Sequence, residues 1–91
     1  MAVSKVYKRD GRLVDFEPEK IKAAMHKAFK ATEVDESGIL DGLTVKVVSE
    51  SEKRFKSSRR FPHIEEIQDI VVKTLMVSGQ EKTANAYANY R

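Results

Sequence analysis

A chain of 91 residues with 41% hydrophobic side chains has room for one modest core, so we expect a single domain over residues 1–91. The sequence contains no cysteine, which excludes disulfide scaffolds, thiol catalysis and cysteine-based zinc sites. Its net charge of +3 is mild, and no apolar run approaches the ~20 residues of a transmembrane helix, so the chain is expected to be soluble and cytoplasmic.

The chain begins with a predicted β-hairpin over residues 3–16. Short β-prone runs flank an Asp10-Gly11 pair, and both residues of such a dipeptide tolerate the positive φ values that a tight hairpin turn requires. An isolated two-stranded hairpin is only marginally stable. We therefore expect this hairpin to pack on another element.

The next segment has the periodicity of an amphipathic helix over about residues 18–31. Pro18 suits the first helical position, because its missing N–H leaves no hydrogen bond unmade there. Apolar residues recur on one helical stripe: Ile21, Ala24, Met25, Ala28 and Phe29. This helix is the expected partner of the hairpin.

Three more helices are predicted, over about residues 36–55, 64–78 and 81–90. The second is the least regular, because Gly38, Gly42 and a β-branched cluster weaken its helical pattern. Pro62 breaks the pattern before the third helix, and a short extended piece around residues 61–63 is a candidate third strand. The order of elements predicts an α+β fold in which a small β-hairpin or three-stranded sheet caps a four-helix bundle.

The sequence lacks the common signatures of enzymatic sites. Neither G-x-x-x-x-G-K-[ST] nor G-x-G-x-x-G occurs. His26 and His63 are far apart and lack the spacing of metal ligands. We expect them to be solvated, packed or helix-capping residues, and we predict no metal site and no catalytic site in this chain.

Cationic residues gather at the predicted hairpin turn. Lys8 and Arg9 precede Asp10, and Lys20 falls in the first turn of the first helix, where free N–H groups and the helix dipole attract anions. Adjacent residues on a regular strand point to opposite faces, so the turn must bring Lys8 and Arg9 to one ligand. Residue types alone leave two interpretations open, a solvated surface and an anion-binding site.

A second basic run, KRFKSSRR, covers residues 53–60. Cations near a helix C-terminus are favourable to the dipole and are commonly solvated. The alternatives for this run are contact with a nucleic acid and contact with an acidic protein partner.

Four motifs in this order resemble the ATP-cone domain: V-Y-K-R-D-G-R, F-E-P-E-K-I, E-E-I-Q-D-I-V and A-Y-A-N-Y-R. The resemblance covers residues 6–91. It implies a short β-sheet lying over a four-helix bundle. It also implies an allosteric module that binds ATP or dATP and that usually belongs to the large subunit of a ribonucleotide reductase.

The resemblance implies roles for individual residues by their places in these motifs. Lys8 and Arg9 match the phosphate-binding pair of the K-R-D-G turn, and Lys20 matches a helix lysine that contacts phosphate or ribose. The residues implied near the nucleotide's base and sugar are Val6 through its backbone, Tyr7, Ile21 as a wall for the base, and Gln68 from the third helix.

Two positions depart from the family's pattern. Glu17 stands where the family has Asp or Asn, a residue that caps the first helix and can contact the adenine or ribose; Glu is a poor cap. Val14 stands where some members have a polar ligand residue. Glu17 is thus a candidate nucleotide contact, and both departures bear on the base contacts and on the preference between ATP and dATP.

The resemblance also indicates the kind of larger protein to which such a domain belongs. A bacterial repressor of reductase genes carries the same domain after a zinc ribbon, which a cysteine-free chain cannot form, so the reductase type is favoured. We expect an excised or stand-alone regulatory domain without its own catalytic site. Its expected effector is ATP or dATP with Mg²⁺, and its expected partners are the parent's catalytic domain or subunit and, as an option, a second copy. A membrane partner is not expected. The alternative function is a nucleic-acid-binding or transcription-regulatory module that uses the basic hairpin and residues 53–60.

Overall fold

Two short strands and four helices make up residues 3–35 and 38–90, the part of the chain that the computed structural model describes. In chain order these elements are β1 (Lys5–Tyr7), β2 (Leu13–Asp15), α1 (Pro18–Thr32), α2 (Leu40–Phe55), α3 (Ile64–Val77) and α4 (Glu81–Tyr90). The predicted α+β class is confirmed.

The two strands form an antiparallel hairpin around the Asp10-Gly11 turn, with Val6 opposite Val14. The Lys8 N–H donates to the Arg12 carbonyl over 2.8 Å, which closes the turn. Gly11 has a φ of 88°, a left-handed conformation that favours glycine. Arg12 donates to Asp10 through its backbone N–H and its side chain, and these hydrogen bonds lower the pKa of the Asp10 carboxyl.

The segment before α3 lies beside β1 but does not extend the sheet. The Tyr7 N–H donates to the Pro62 carbonyl over 2.9 Å, and Tyr7 forms an isolated parallel bridge with His63. The sheet of the described residues therefore has two strands, and the three-stranded option is not confirmed. The reason is local, because Pro62 has no N–H to donate and α3 begins at Ile64.

The four helices pack as a ring in which α1 and α3 each contact both α2 and α4. One hydrophobic cluster fills its centre, and its fully buried large side chains include Met25, Phe29, Val47, Ile67 and Leu75. Val3 and Val6 of the hairpin segment belong to the same cluster, so the hairpin is attached to the helices through the core. None of the helices in the described ranges is long and apolar enough to cross a membrane.

The second helix begins later than predicted. Its first residue is Leu40, whereas the sequence pattern places the start at residue 36; residues 36 and 37 lie outside the described part of the chain. Gly38 has a φ of 81°, and a left-handed residue cannot continue a right-handed helix. Gly42 and the β-branched residues that follow it are accommodated within α2.

A partly exposed ion pair lies at the start of α3. The Arg60 guanidinium donates two hydrogen bonds to Glu66, 2.7 Å to Oε1 and 2.9 Å to Oε2. Glu66 Oε1 also accepts from the His63 backbone N–H over 3.0 Å. The Arg60 hydrogen bonds, with a further contribution from the His63 N–H, lower the pKa of Glu66 from 4.5 to about 2 despite partial burial.

We predict that Glu66→Gln lowers the free energy of unfolding at pH 7 by about 1–2 kcal/mol, a value reduced from the full pKa shift because Arg60 is partly solvated. Glu66 binds protons more weakly in the folded state than in the unfolded state. Its contribution is thus complete above the unfolded pKa of 4.5 and is lost as the pH falls towards about 2. Urea unfolding at several pH values measures both effects.

Glu52→Gln is the matched control, because Glu52 is an exposed helical glutamate with no ion pair among the described residues. The wild-type and Glu66→Gln stabilities should converge at low pH, and the Glu52→Gln curve should follow the wild type throughout. A constant difference between wild type and Glu66→Gln from pH 7 to pH 2.5 would contradict the role assigned to this pair.

Candidate functional site

The hairpin turn carries two of the three predicted phosphate ligands. Because β1 ends at Tyr7, Lys8 and Arg9 lie in the turn rather than on the strand, so the alternation of a regular strand does not separate them. Both side chains are exposed. The Lys8 side chain makes no hydrogen bond or ion pair with any residue in the described ranges, which leaves its ammonium group available to an anion.

The turn sits against the start of α3. The Tyr7 and His63 rings lie 5.3 Å apart with an interplanar angle of 34°. Arg9 Nε lies 3.5 Å from Glu65 Oε1, in the first turn of the helix. The backbone bond from Tyr7 to Pro62 and these two side-chain contacts therefore place the cationic turn beside α3.

A cavity of about 270 Å³ lies against Arg9 and α3, and its lining residues are Arg9, Glu65, Gln68 and Asp69. Gln68 Oε1 is buried and has no hydrogen-bond partner among the described residues. An unsatisfied buried acceptor is unfavourable unless a ligand or water pairs with it. The structure thus brings Arg9 and Gln68, predicted separately from the first and third motifs, to one cavity.

Lys20 approaches from the other end of the hairpin. The Phe16 N–H donates to the Ser4 carbonyl over 2.9 Å, so the chain enters α1 at the end of the hairpin away from the turn. Lys20 Nζ lies 2.8 Å from Glu17 Oε2 and both side chains are mostly exposed. A ligand that contacts Lys8, Arg9 and Lys20 together must extend along the hairpin.

The apolar site residues serve mainly in the core. Val6 is 3% exposed and Ile21 is 5% exposed, and both belong to the central hydrophobic cluster. Val6 can therefore offer a ligand its backbone but hardly its side chain, and Ile21 can offer only a small surface. Val14 is half-buried and packs against the same cluster, so a nonpolar residue there is explained by packing.

Glu17 occupies the N-cap position of α1 without capping it. Its backbone has the extended geometry of an N-cap, with φ −116° and ψ 102°, but its side chain makes no capping hydrogen bond. The carboxylate reaches Lys20 instead. The Glu17 side chain, which is longer than that of Asp or Asn, thus makes an ion pair with Lys20 and no cap for α1.

The sequence of residues 4–91 matches the profile of the ATP cone domain family. The chain belongs to this family. Members bind ATP or dATP as effectors, and membership indicates an allosteric, nucleotide-binding regulatory role for this domain. Lys8, Arg9, Lys20 and Gln68, discussed above on geometric grounds, lie in the motifs that first suggested an ATP cone.

Several ribonucleotide reductases contain a region similar to this ATP cone. The ribonucleoside-diphosphate reductase subunit alpha of Chlamydia muridarum is 43% identical over an alignment of 93 residues. The alignment covers 94% of this chain and 9% of the relative. The anaerobic ribonucleoside-triphosphate reductase of Escherichia coli is 40% identical over 86 residues, covering 94% and 11%. The vitamin B12-dependent ribonucleoside-diphosphate reductase of Thermoplasma acidophilum is 38% identical over 94 residues, covering 98% and 12%. The chain thus spans about a tenth of the length of these relatives.

Glu65 and Asp69 were missed by the sequence analysis. They lie three residues before and one residue after Gln68, so Glu65 shares a helical face with Gln68. That spacing was a usable signal, but pairing Glu65 with Arg9 requires knowing that the turn packs against α3. The Arg60–Glu66 pair was also missed, because it joins the irregular segment before α3 to the first turn of that helix, and a helical period does not predict such a contact.

Much of the basic run at residues 53–60 is engaged within the domain. Arg60 is held by Glu66, Lys53 lies 3.7 Å from Glu50, and the Arg54 guanidinium lies 5.8 Å from the Phe55 ring centroid. These contacts give three of the basic side chains a role within the domain, which weakens the case for a nucleic-acid interface at residues 53–60.

We predict that Glu17→Asp raises the free energy of unfolding by about 0.5–1 kcal/mol, because Asp retains the negative charge and is among the best N-cap residues. Chemical denaturation measures the change. Glu19→Asp is the control, since Glu19 lies inside the first turn of α1 and gains no cap from the same substitution. Equal effects of the two substitutions would show that capping is not the cause.

Proposed function

We propose that this domain senses the ratio of adenine nucleotides for a ribonucleotide reductase, by binding ATP or dATP between the hairpin turn and the first turns of α1 and α3. The observation that carries the proposal is the placement of the turn. Arg9 and Gln68, from the first and third motifs, line one cavity, and the exposed Lys8 is the neighbour of Arg9 in the turn.

The phosphate chain would occupy the cationic side of this site. Lys8 offers a free ammonium group, Arg9 offers a planar guanidinium suited to phosphate oxygens, and Lys20 offers a second ammonium farther along the hairpin. An elongated polyphosphate suits this separation better than a single phosphate group. The proposed ligand is accordingly a nucleoside triphosphate.

The base and ribose would contact the less charged residues of the site. Tyr7 is half-buried and offers a ring beside His63. Its neighbour Val6 would offer its backbone, and Ile21, which belongs to the same hydrophobic cluster as Val6, would offer a small surface to the base. Gln68 lines the cavity beside Arg9 and is the candidate contact from α3. Glu17 is a further candidate contact because its carboxylate is exposed at the start of α1.

Mg²⁺ would reach the site with the nucleotide. No group of three or more acidic residues, histidines or cysteines in residues 3–35 and 38–90 is arranged to hold a metal ion. Mg²⁺ is commonly bound through substrate phosphates while it keeps several waters. When bound, the ion would neutralise part of the phosphate charge, and the chain's own residues would orient the nucleotide.

The domain would regulate catalysis rather than perform it. Its parent would be a cytoplasmic ribonucleotide reductase, and its partner the catalytic domain or subunit of that enzyme, with self-association as a further state. ATP and dATP can shift an equilibrium between active and inactive states only through different affinities for those states. The similarity to reductases of both diphosphates and triphosphates supports a module that serves different catalytic partners.

We predict saturable binding of ATP and dATP in calorimetric titration, and an affinity at least about tenfold lower for Lys8→Ala, since a hydrogen bond to a charged group contributes about 1.5–3 kcal/mol. Lys27→Ala is the control, because Lys27 is an exposed lysine of α1 without an ion pair among the described residues. GTP tests selectivity for adenine. No binding of ATP or dATP at millimolar concentration would contradict the proposal, as would equal losses from the two lysine variants.

A further inference from the structure

Two of the three cations proposed to bind phosphate are already paired with carboxylates. Arg9 Nε lies 3.5 Å from Glu65 Oε1, and Lys20 Nζ lies 2.8 Å from Glu17 Oε2. Lys8 makes no ion pair within 4 Å in the described ranges, although its charge contributes to the lowered pKa of Asp10. Part of the cationic surface of the domain is therefore held in internal ion pairs.

The carboxylate of Glu65 occupies a position that also favours a phosphate group. Glu65 lies in the first turn of α3, where the helix dipole stabilises negative charge of either kind. The cavity beside it is lined by one guanidinium, from Arg9, and two carboxylates, from Glu65 and Asp69. A phosphate approaching Arg9 thus meets the Glu65 carboxylate at the same guanidinium.

We propose that Glu65 is an affinity-setting residue, an internal competitor that holds Arg9 in the free domain and must yield it to the nucleotide's phosphate. This inference rests on the proposed function and adds to it a residue that weakens binding. Glu65 acts through Arg9 and by direct repulsion of the phosphate chain. Its effect is to move the sensing range of the domain to higher nucleotide concentration.

The exposure of the Arg9–Glu65 pair sets the size of the change in ATP affinity that we expect from Glu65→Gln. The Arg9 and Glu65 side chains are 58% and 65% exposed, so solvent screens their attraction. Removing an exposed ion pair of this kind changes a binding constant by about one- to fivefold. Removing the repulsion between the Glu65 carboxylate and the phosphate adds to the gain in ATP affinity. We expect Glu65→Gln to tighten ATP binding about three- to fivefold.

The test is calorimetric titration of ATP into wild type, Glu65→Gln and Glu52→Gln, together with urea unfolding of each nucleotide-free protein. Glu52→Gln removes the same charge from an exposed helical position and should leave ATP affinity within about twofold of the wild type. Glu65→Gln should bind ATP more tightly although its stability is equal or slightly lower. A residue with only a structural role would weaken binding as it weakened the fold.

The possible outcomes separate this inference from the function on which it rests. Wild-type binding with equal or weaker binding by Glu65→Gln would overturn the internal competitor and leave the proposed function standing. Equal tightening by Glu65→Gln and Glu52→Gln would also overturn it, because net charge alone would explain the gain. Absence of ATP binding by the wild type at millimolar concentration would contradict the proposed function and, with it, this inference.

Discussion

The hydrogen bond from the Tyr7 N–H to the Pro62 carbonyl is the contact on which the candidate site depends. It joins β1 to the segment that leads into α3, and it sets the cationic turn beside that helix. The Arg60–Glu66 pair and the Glu66–His63 hydrogen bond hold this segment in place from the other side. A two-stranded hairpin has only marginal stability alone. These bonds and the burial of Val6 therefore stabilise the hairpin and fix its position on the helices.

The site also shows how a small domain can present several cations without a permanent ligand. Like charges gathered at one end of a fold repel each other, and nearby carboxylates reduce that cost. In this domain Glu17 and Glu65 provide the compensation, and each lies at the N-terminal end of a helix. The same helix ends would favour phosphate, so under the proposed function the stability of the domain and its affinity for a nucleotide would oppose each other at Glu65.

Most of the fold could be predicted from sequence because its elements follow local rules. The stripe containing Ile21, Met25 and Phe29 is buried as its helical period requires. The hairpin turns at Asp10-Gly11 as expected, but only Gly11 takes the positive φ that was expected of both residues. The start of α2 was predicted too early, since Gly38 takes a left-handed conformation that a periodicity count does not detect. The pairing of Arg9 with Glu65 depends on tertiary packing between segments 56 residues apart, which no local pattern encodes.

The central claim is that adenine nucleotides bind at the hairpin turn and the helix ends that flank it. The most direct measurement is the change in backbone amide NMR shifts when ATP is added to the ¹⁵N-labelled domain. We predict the largest changes at Lys8, Arg9, Lys20 and Gln68, with saturation at one common affinity. Changes concentrated in residues 53–60, or none at the turn, would contradict the claim.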